Sequence, residues 1–364
     1  MDILKINSKV KPFEVHFEND FLFLEKLFNL ENSMVIVGNI VYKHYKKTIF
    51  DKFSKEKLIV LELDEDRKTL ESVTAIYDKL LNLSAKKNLT LISFGGGVNQ
   101  DVVGFAASTL YRGVNWIFVP TTLLAMADSA IGLKTSLNYH SFKNVLGTFY
   151  PPTDIYLNVG FVDTLEKKDY YSGVGEIVKF LLMEKNAFDN LESIASTVTS
   201  LTSTPSKSFL TGIVKKSIKI KLGYMEGDEF DTGRRNLLNY GHELGHALES
   251  SSKFAIPHGI GVMIGILFAN QVSYKRGWLS KKLYRYINDH ILLNNLKPDV
   301  IKLEKDHFEE TVILENMKKD KKRLSDSLPL VLPDKNNSLI KITDFSFEEY
   351  LSNISELKSF LNLN

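Results

Sequence analysis

Five short apolar runs recur between helical stretches in residues 1–160, and nothing else in the chain restricts its fold as much. They are MVIVG (Met34–Gly38), LIVLEL (Leu58–Leu63), LTLISF (Leu89–Phe94), WIFVP (Trp116–Pro120) and IYLNV (Ile155–Val159). Runs this short, apolar at consecutive positions, read as strands buried on both faces of a parallel sheet. Helical periods at Arg67–Leu83 and Asp101–Tyr111 lie between them. Such alternation predicts a doubly wound, Rossmann-like α/β sheet that takes its ligand at the strands' carboxyl ends. After Gly160 the strand pattern stops. Tyr170–Asn186, Phe209–Tyr224, Arg234–Ser251, Gly259–Gly277 and Phe308–Lys318 carry helical periodicity, with STPSKS (Ser203–Ser208) and KFAIPHG (Lys253–Gly259) as loops. The expectation is an α/β domain over residues 1–160 followed by an all-helical domain over residues 161–364.

A length of 364 residues suits two domains. The 46 Lys+Arg against 44 Asp+Glu give a formal charge of +2, without the basic excess of a nucleic-acid binder. There is no cysteine, so disulfides, thiolate nucleophiles and Cys-held zinc are excluded, and a metal must be held by His, Asp or Glu. The N-terminal MDILKINSKVKPFEVHF has no apolar signal core. The longest apolar run, Gly259–Ala269, is about half of what spans a bilayer. A cytoplasmic protein with neither membrane nor nucleic-acid partner is expected.

HELGH (His242–His246) matches H-E-x-x-H, the spacing of zinc metallopeptidases. Read as one helix, Arg235, Asn239, His242 and His246 fall at i, i+4, i+7 and i+11 on a single polar stripe. Gly241 and Gly245 inside that helix would each cost about 1 kcal/mol relative to Ala, so close packing or ligand approach is expected to offset them. A peptidase needs a third ligand. Glu249 and Ser252 stand at the Gly and third-His positions of the extended pattern, and no Glu occurs between Glu249 and Glu304. His258, in IPHG, is the nearest candidate, which leaves His242, His246 and His258 open as a ligand set. Two hydrogen-bonded core histidines are the alternative.

Three further stretches carry chemistry. LTLISFGGGVNQDVVGFAAS runs from a strand through three glycines into a helix expected to start near Asp101. It reads as a pyrophosphate cradle at a helix N-terminus, or as a tight strand–helix turn. In YSGVGEIVKFLLMEK, Glu176 and Lys179 are i, i+3 neighbours on an otherwise apolar helix. A buried carboxylate there needs a cation or a metal, whereas a surface ion pair needs neither. MADSAIGLKTSLNYHSFKNVLGTFYPP places Asp128, Lys134, Lys143 and Asn144 between the fourth and fifth strands, where lysines hold phosphate or are simply solvated. MKKDKKR (Met317–Arg323) reads either way too.

GGGVNQDVVGFAAS, YRG, PTTLLAMADSAIGLKTSLN, KNVLGTFYPP, GEIVK, GRRNLLNYGHELGHALE and IPHG occur in this order between Asp64 and Lys322. Together they resemble the 3-dehydroquinate synthase family of the sugar phosphate cyclases. The resemblance implies an NAD-binding α/β domain, a helical metal domain and an active site in the cleft between them. By motif, Glu176, His242 and His258 would hold one divalent metal, zinc or cobalt, and the H-E-x-x-H match would be accidental. NAD contacts would come from Glu65, Lys68, Gly97, Val98, Asn99, Gln100, Asp101, Thr121, Thr122, Lys134, Lys143, Phe161, Val162, Asp163 and Thr164. The substrate pocket would comprise Asp128, Lys134, Asn144, Lys179, Lys221, Arg235, Asn239, His246 and Lys322. Arg112, in YRG, would reach across a homodimer interface to the substrate phosphate.

The reaction so implied belongs to a carbon–oxygen lyase of the shikimate pathway. It converts 3-deoxy-arabino-heptulosonate 7-phosphate into 3-dehydroquinate and phosphate through NAD-mediated oxidation, β-elimination, re-reduction and intramolecular aldol closure. The substrate carboxylate needs a cation, for which Arg235 with Lys221 is expected. Relatives that cyclise sedoheptulose 7-phosphate or glucose 6-phosphate have no carboxylate to match that charge. The chain also departs from the family pattern. Leu133 and Ser136 stand where glycines are usual, Tyr240 and Glu243 where Leu and Thr are usual, and VIVGNIVYKHY lacks the acidic residue often found after the first strand.

Overall fold

The computed structural model describes residues 2–83, 86–140, 142–297, 299–319 and 327–363. The chain divides into two compact units, Met1–Leu165 and Glu166–Asn364.

The first unit runs β1 (Asp2–Ile6), β2 (Phe13–Phe17), α1 (Phe23–Phe28), β3 (Ser33–Gly38), α2 (Asn39–Tyr45), β4 (Leu58–Leu61) and α3 (Leu70–Asn82). It continues with β5 (Thr90–Gly95), α4 (Gly97–Thr109), β6 (Asn115–Pro120), α5 (Leu123–Ala127), β7 (Lys134–Tyr139), β8 (Phe142–Phe149) and β9 (Asp154–Leu157). Seven strands form one sheet in the order β1-β2-β9-β6-β5-β3-β4, parallel throughout except for the β1–β2 pair. β3 is buried at every position, which its unbroken SMVIVG run makes possible. α3 buries Val73, Ile76 and Leu80, a stripe at helical spacing. From β3 the chain goes to β4 on one side and then to β5 on the other. The carboxyl ends of β3 and β5 therefore lie side by side, Val37 opposite Phe94, where the connections diverge. A doubly wound sheet opens its ligand crevice at such a point.

All five expected strands are present, with ends shifted by a residue or two. The pattern misses β1 and β2, and it misses β7 and β8, which pair as a separate antiparallel hairpin carrying Lys134, Lys143 and Asn144. β1 and β8 are largely exposed, so neither needs the apolar run that marks the buried strands. α4 starts at Gly97 rather than near Asp101, because Gly96 already serves as its N-cap.

The second unit contains α6 (Lys167–Met183), α7 (Leu191–Thr202), α8 (Lys207–Met225), α9 (His242–Ser251), α10 (His258–Lys275), α11 (Lys281–Tyr286) and α12 (Glu310–Lys319). β10 (Ser327–Pro333), β11 (Leu339–Ser346) and α13 (Phe347–Phe360) complete it. The all-helical expectation fails at β10–β11, an antiparallel hairpin. Pro329 and Pro333 bar a helix through SLPLVLP. The hairpin packs on α10, where Ser273 Oγ donates to the Pro333 carbonyl at 2.6 Å.

α10 is buried continuously from Gly259 to Ser273, as expected of a helix apolar on every side. Its glycines let two other helices touch its backbone. A Cβ on Gly259 would lie 1.8 Å from Ser172 O of α6, and one on Gly265 would lie 1.9 Å from Gly241 O at the start of α9. Gly245 and Gly261 meet similarly, with a Cβ on either 3.0 Å from the other's backbone. The three helices that carry Glu176, His242 and His258 are thus fixed at backbone contact. Among the described residues no helix is long and apolar enough to cross a membrane.

Candidate metal centre and dinucleotide crevice

The single stripe expected from Arg235 to His246 is broken. Residues 234–239 form a 3-10 turn, Gly241 takes φ 80°, and α9 begins at His242. The cause lies in α10: a Cβ on Gly241 would meet Val262 O at 2.5 Å, so the chain must turn there on a residue without one. Arg235 and Asn239 therefore belong to the preceding turn.

Glu176 on α6 is fully buried, and its Oε1 lies 3.1 Å from His258 Nε2 and 3.5 Å from His242 Nε2. On each ring the other nitrogen has an acceptor. His258 Nδ1 faces Glu249 Oε2 at 3.0 Å, and His242 Nδ1 faces the Tyr240 carbonyl at 3.3 Å. An imidazole that donates from Nδ1 presents Nε2 as the ligand atom, so two imidazoles and a carboxylate converge as a donor set for a divalent ion. Burial disfavours the His258 cation, but Glu249 and Glu176 outweigh it and hold the ring up at about 10. Burial likewise pushes the Glu176 carboxyl up, yet Lys179, with Nζ 2.6 Å from Oε2, and His258 bring it down to about 2.

His246 is close as well. Its ring centroid lies 5.2 Å from that of His242 and 5.6 Å from that of His258, and the three histidines offer nitrogens within 4.8 Å of one another. Glu176–His242–His258 and His242–His246–His258 are thus both gathered, with two rings in common. Glu243, which would be the base of a peptidase, is 5 % exposed.

Arg235 and Lys221 are both buried. The Arg235 amide donates to Asp228 Oδ2 at 2.8 Å and its guanidinium donates to the Glu229 carbonyl. Amides of Thr232, Arg235 and Gly233 hold the Asp228 carboxyl down at about 2, tying up the loop before the turn. Asn239 ends that turn half-buried. Lys322 lies outside the described residues.

In the first unit the glycines divide their work. A Cβ on Gly95 would lie 2.3 Å from Asn99 Cγ, one on Gly38 would lie 3.0 Å from Asn99 Oδ1, and one on Gly96 would lie 2.9 Å from Thr122 Cγ2. A Cβ on Gly97 would meet nothing tighter than an ordinary van der Waals contact, with Ser129 Oγ at 3.8 Å. Gly38 and Gly95 thus make room for Asn99 where the ends of β3 and β5 meet. Asn99 is buried, and among the described residues its Nδ2 has no hydrogen-bond partner. α4 starts beside it without a side-chain cap. An orphaned amide donor next to an uncapped helix N-terminus fits a pyrophosphate oxygen. Thr121 donates its amide to Gly95 O at 2.9 Å and leaves Oγ1 without a partner among the described residues. Thr122 caps α5 by accepting from the Ala125 amide at 3.2 Å.

Lys68 joins residues that the resemblance divides between cofactor and substrate. Its Nζ lies 2.5 Å from Asp101 Oδ2 and 2.6 Å from Asn144 Oδ1. Ser136 Oγ lies within hydrogen-bond reach of the same two groups, at 3.1 and 2.9 Å, and its one proton, which glycine would lack, can go to either. Burial pushes the Asp101 carboxyl up, against the pull of Lys68. Asn138 Nδ2 ties in Glu65 at 3.0 Å. Leu133, the other departure, takes φ 63°, a conformation that costs a non-glycine residue about 1–2 kcal/mol.

Gln100 and Ser129 exchange two hydrogen bonds of 2.7 Å. Phe161 and Val162 are core side chains that leave only backbone for a ligand, whereas Asp163 and Thr164 are exposed. Val98, Asp128 and Lys143 are partly exposed, Lys134 is exposed, and Arg112 is exposed with φ 66°. Sequence reasoning missed Glu249, Tyr240, Ser136 and Asn138. Glu249 had a signal in its spacing, since it lies seven residues after His242 on the same helical face, whereas Tyr240 and Ser136 stood out only as departures from the family pattern.

A parallel, doubly wound sheet followed by a helical unit is a fold with solved members. 2-epi-5-epi-valiolone synthase from Streptomyces hygroscopicus, with NAD+ and Zn2+ bound, matches with a TM-score of 0.79 over 98 % of both chains at 22 % identity. 2-deoxy-scyllo-inosose synthase, complexed with carbaglucose-6-phosphate, NAD+ and Co2+, matches with a TM-score of 0.79 over 98 % of this chain and 100 % of that one, again at 22 % identity. Within this fold the sequence is more specific. The 3-dehydroquinate synthase N-terminal model matches residues 58–172 and the C-terminal model matches residues 173–323, so the chain belongs to the 3-dehydroquinate synthase family. The 3-dehydroquinate synthase of Rippkaea orientalis is 33 % identical over 301 residues, 81 % of this chain and 79 % of that protein. That of Dictyoglomus thermophilum is 31 % identical over 343 residues, 92 % of each. A bifunctional 3-dehydroquinate synthase/phosphatase of Fusobacterium nucleatum is 31 % identical over 97 % of this chain, which spans 51 % of that longer protein.

Proposed function

We propose that the chain is an NAD- and metal-dependent 3-dehydroquinate synthase, a carbon–oxygen lyase that releases phosphate from 3-deoxy-arabino-heptulosonate 7-phosphate and closes the carbocycle. The observation that carries this reading is the approach of Glu176 Oε1 to His258 Nε2 at 3.1 Å and to His242 Nε2 at 3.5 Å, with both Nδ1 atoms anchored. Glu176, His242 and His258 would hold one zinc or cobalt ion, which supplies Lewis acidity toward substrate hydroxyls. Asn99, Thr121 and the α4 N-terminus would hold NAD, which supplies a reversible hydride acceptor. The protein's own groups bind the substrate. Arg235 and Lys221, both buried, supply positive charge suited to a substrate carboxylate, with Arg235 steered by Asp228 and the Glu229 carbonyl. His246, its ring 5.2 Å from that of His242 and 5.6 Å from that of His258, would line the substrate pocket. In the same reading the enzyme is a cytoplasmic homodimer in which Arg112 reaches a partner's substrate phosphate.

Phosphate release tests the reading. With NAD and Zn2+ or Co2+, turnover is expected on 3-deoxy-arabino-heptulosonate 7-phosphate but not on sedoheptulose 7-phosphate or glucose 6-phosphate. The reverse preference would overturn it. Asn99→Ala removes the orphaned donor at the switch point and is expected to weaken NAD binding by about tenfold, the worth of one hydrogen bond to a charged group. Calorimetric titration with NAD checks this, and the metal content should not change.

A further inference from the structure

Behind His242 runs a buried polar chain that none of the roles assigned above requires. Tyr240 is 0 % exposed, and its hydroxyl donates to Asn270 Oδ1 at 2.5 Å. Asn270, equally buried, donates from Nδ2 to Asn288 Oδ1 at 3.3 Å, and Asn288 sits in a π-helical turn over Ile287–Leu292. At the other end the Tyr240 carbonyl faces His242 Nδ1 at 3.3 Å. A phenol and two amides in the apolar surroundings of α10 cost desolvation that Leu or Phe would avoid, and π-turns recur at functional sites. The following residue, Gly241, has no freedom to slide, being pressed against the α10 backbone.

We propose that Tyr240, held by Asn270 and Asn288, is a positioning residue that sets the tautomer and ring orientation of His242. The inference rests on the metal reading above. The hydroxyl anchors the phenol in the core, the anchored residue fixes its own carbonyl, and that carbonyl takes the Nδ1 proton. Nε2 is left as the ligand atom facing Glu176. Such outer contacts govern metal affinity, and losing one typically weakens it by about 10–100-fold.

Tyr240→Phe keeps the ring and removes the hydroxyl. In competition with a chromophoric chelator, the variant is expected to bind Zn2+ and Co2+ about tenfold more weakly than the wild-type chain. The visible bands of bound Co2+ should also shift, while NAD affinity holds. A role confined to packing would lower the melting temperature yet leave metal affinity and the Co2+ spectrum unchanged, and that result overturns the proposal. If Tyr240→Phe does not fold, Asn288→Ala, one bond further from the ring, takes its place with an expected loss of about threefold. Unchanged affinity there overturns the proposal equally. A wild-type chain that binds neither ion would instead sink the metal reading itself.

Discussion

Gly259→Ala is expected to cost the helical unit about 3 kcal/mol or more, or to prevent it from folding. The added Cβ would lie 1.8 Å from Ser172 O, and in the reciprocal contact a Cβ on Gly175 would lie 2.1 Å from Gly259 O. These are backbone atoms of buried helices, so no rotamer change relieves the overlap and α6 must part from α10. Because α6 carries Glu176 and α10 carries His258, metal binding should fall with stability. Gly212→Ala and Gly223→Ala on α8 are the controls, since nothing lies within 4 Å of either added Cβ. There the gain in helix propensity should stabilise the chain by up to about 1 kcal/mol. Urea unfolding of all three variants checks both the size and the opposite sign of the effects.

Glu176→Gln should remove turnover by about three orders of magnitude, equivalent to about 4 kcal/mol of transition-state stabilisation, through loss of the ion. It should also destabilise the fold, because it takes the carboxylate from Lys179, which is 1 % exposed. Breaking one side of a buried pair costs about 3–5 kcal/mol. The double variant Glu176→Gln/Lys179→Met removes both charges and is expected to regain most of that stability while staying inactive. Thermal unfolding with the phosphate-release assay separates the two effects. Recovery of turnover along with stability would show that Glu176 serves only as the partner of Lys179.

The parallel strands are legible in the sequence because burial on both faces forces consecutive apolar residues, as in SMVIVG of β3. Strands exposed on one side, such as β1 and β8, carry no such demand and escape the same reading. The family motifs locate Glu176, His242 and His258 on three separate helices, and the three side chains do converge. What sequence periodicity cannot supply is the contact that interrupts it. The wheel from Arg235 to His246 is sound as arithmetic, yet α10 presses on Gly241 and ends the helix there. Asn99 is similar: the glycines before it invite a pyrophosphate reading, but Gly38 and Gly95 are small because the Asn99 side chain lies over them. Tyr240 stands out in sequence only as a departure from the usual leucine, and its meaning depends on Asn270 and Asn288 far along the chain. His246 stays close to both possible donor sets, so geometry narrows the ligand choice to Glu176 or His246 as the third donor.

Metal content decides between them. Glu176→Gln/Lys179→Met and His246→Ala would be purified, loaded with Zn2+, dialysed and measured by atomic emission. The carboxylate-centred account predicts that the first chain returns without zinc and the second keeps close to one ion per chain. Zinc retained by the first and lost from the second would contradict it and make the three histidines the ligand set.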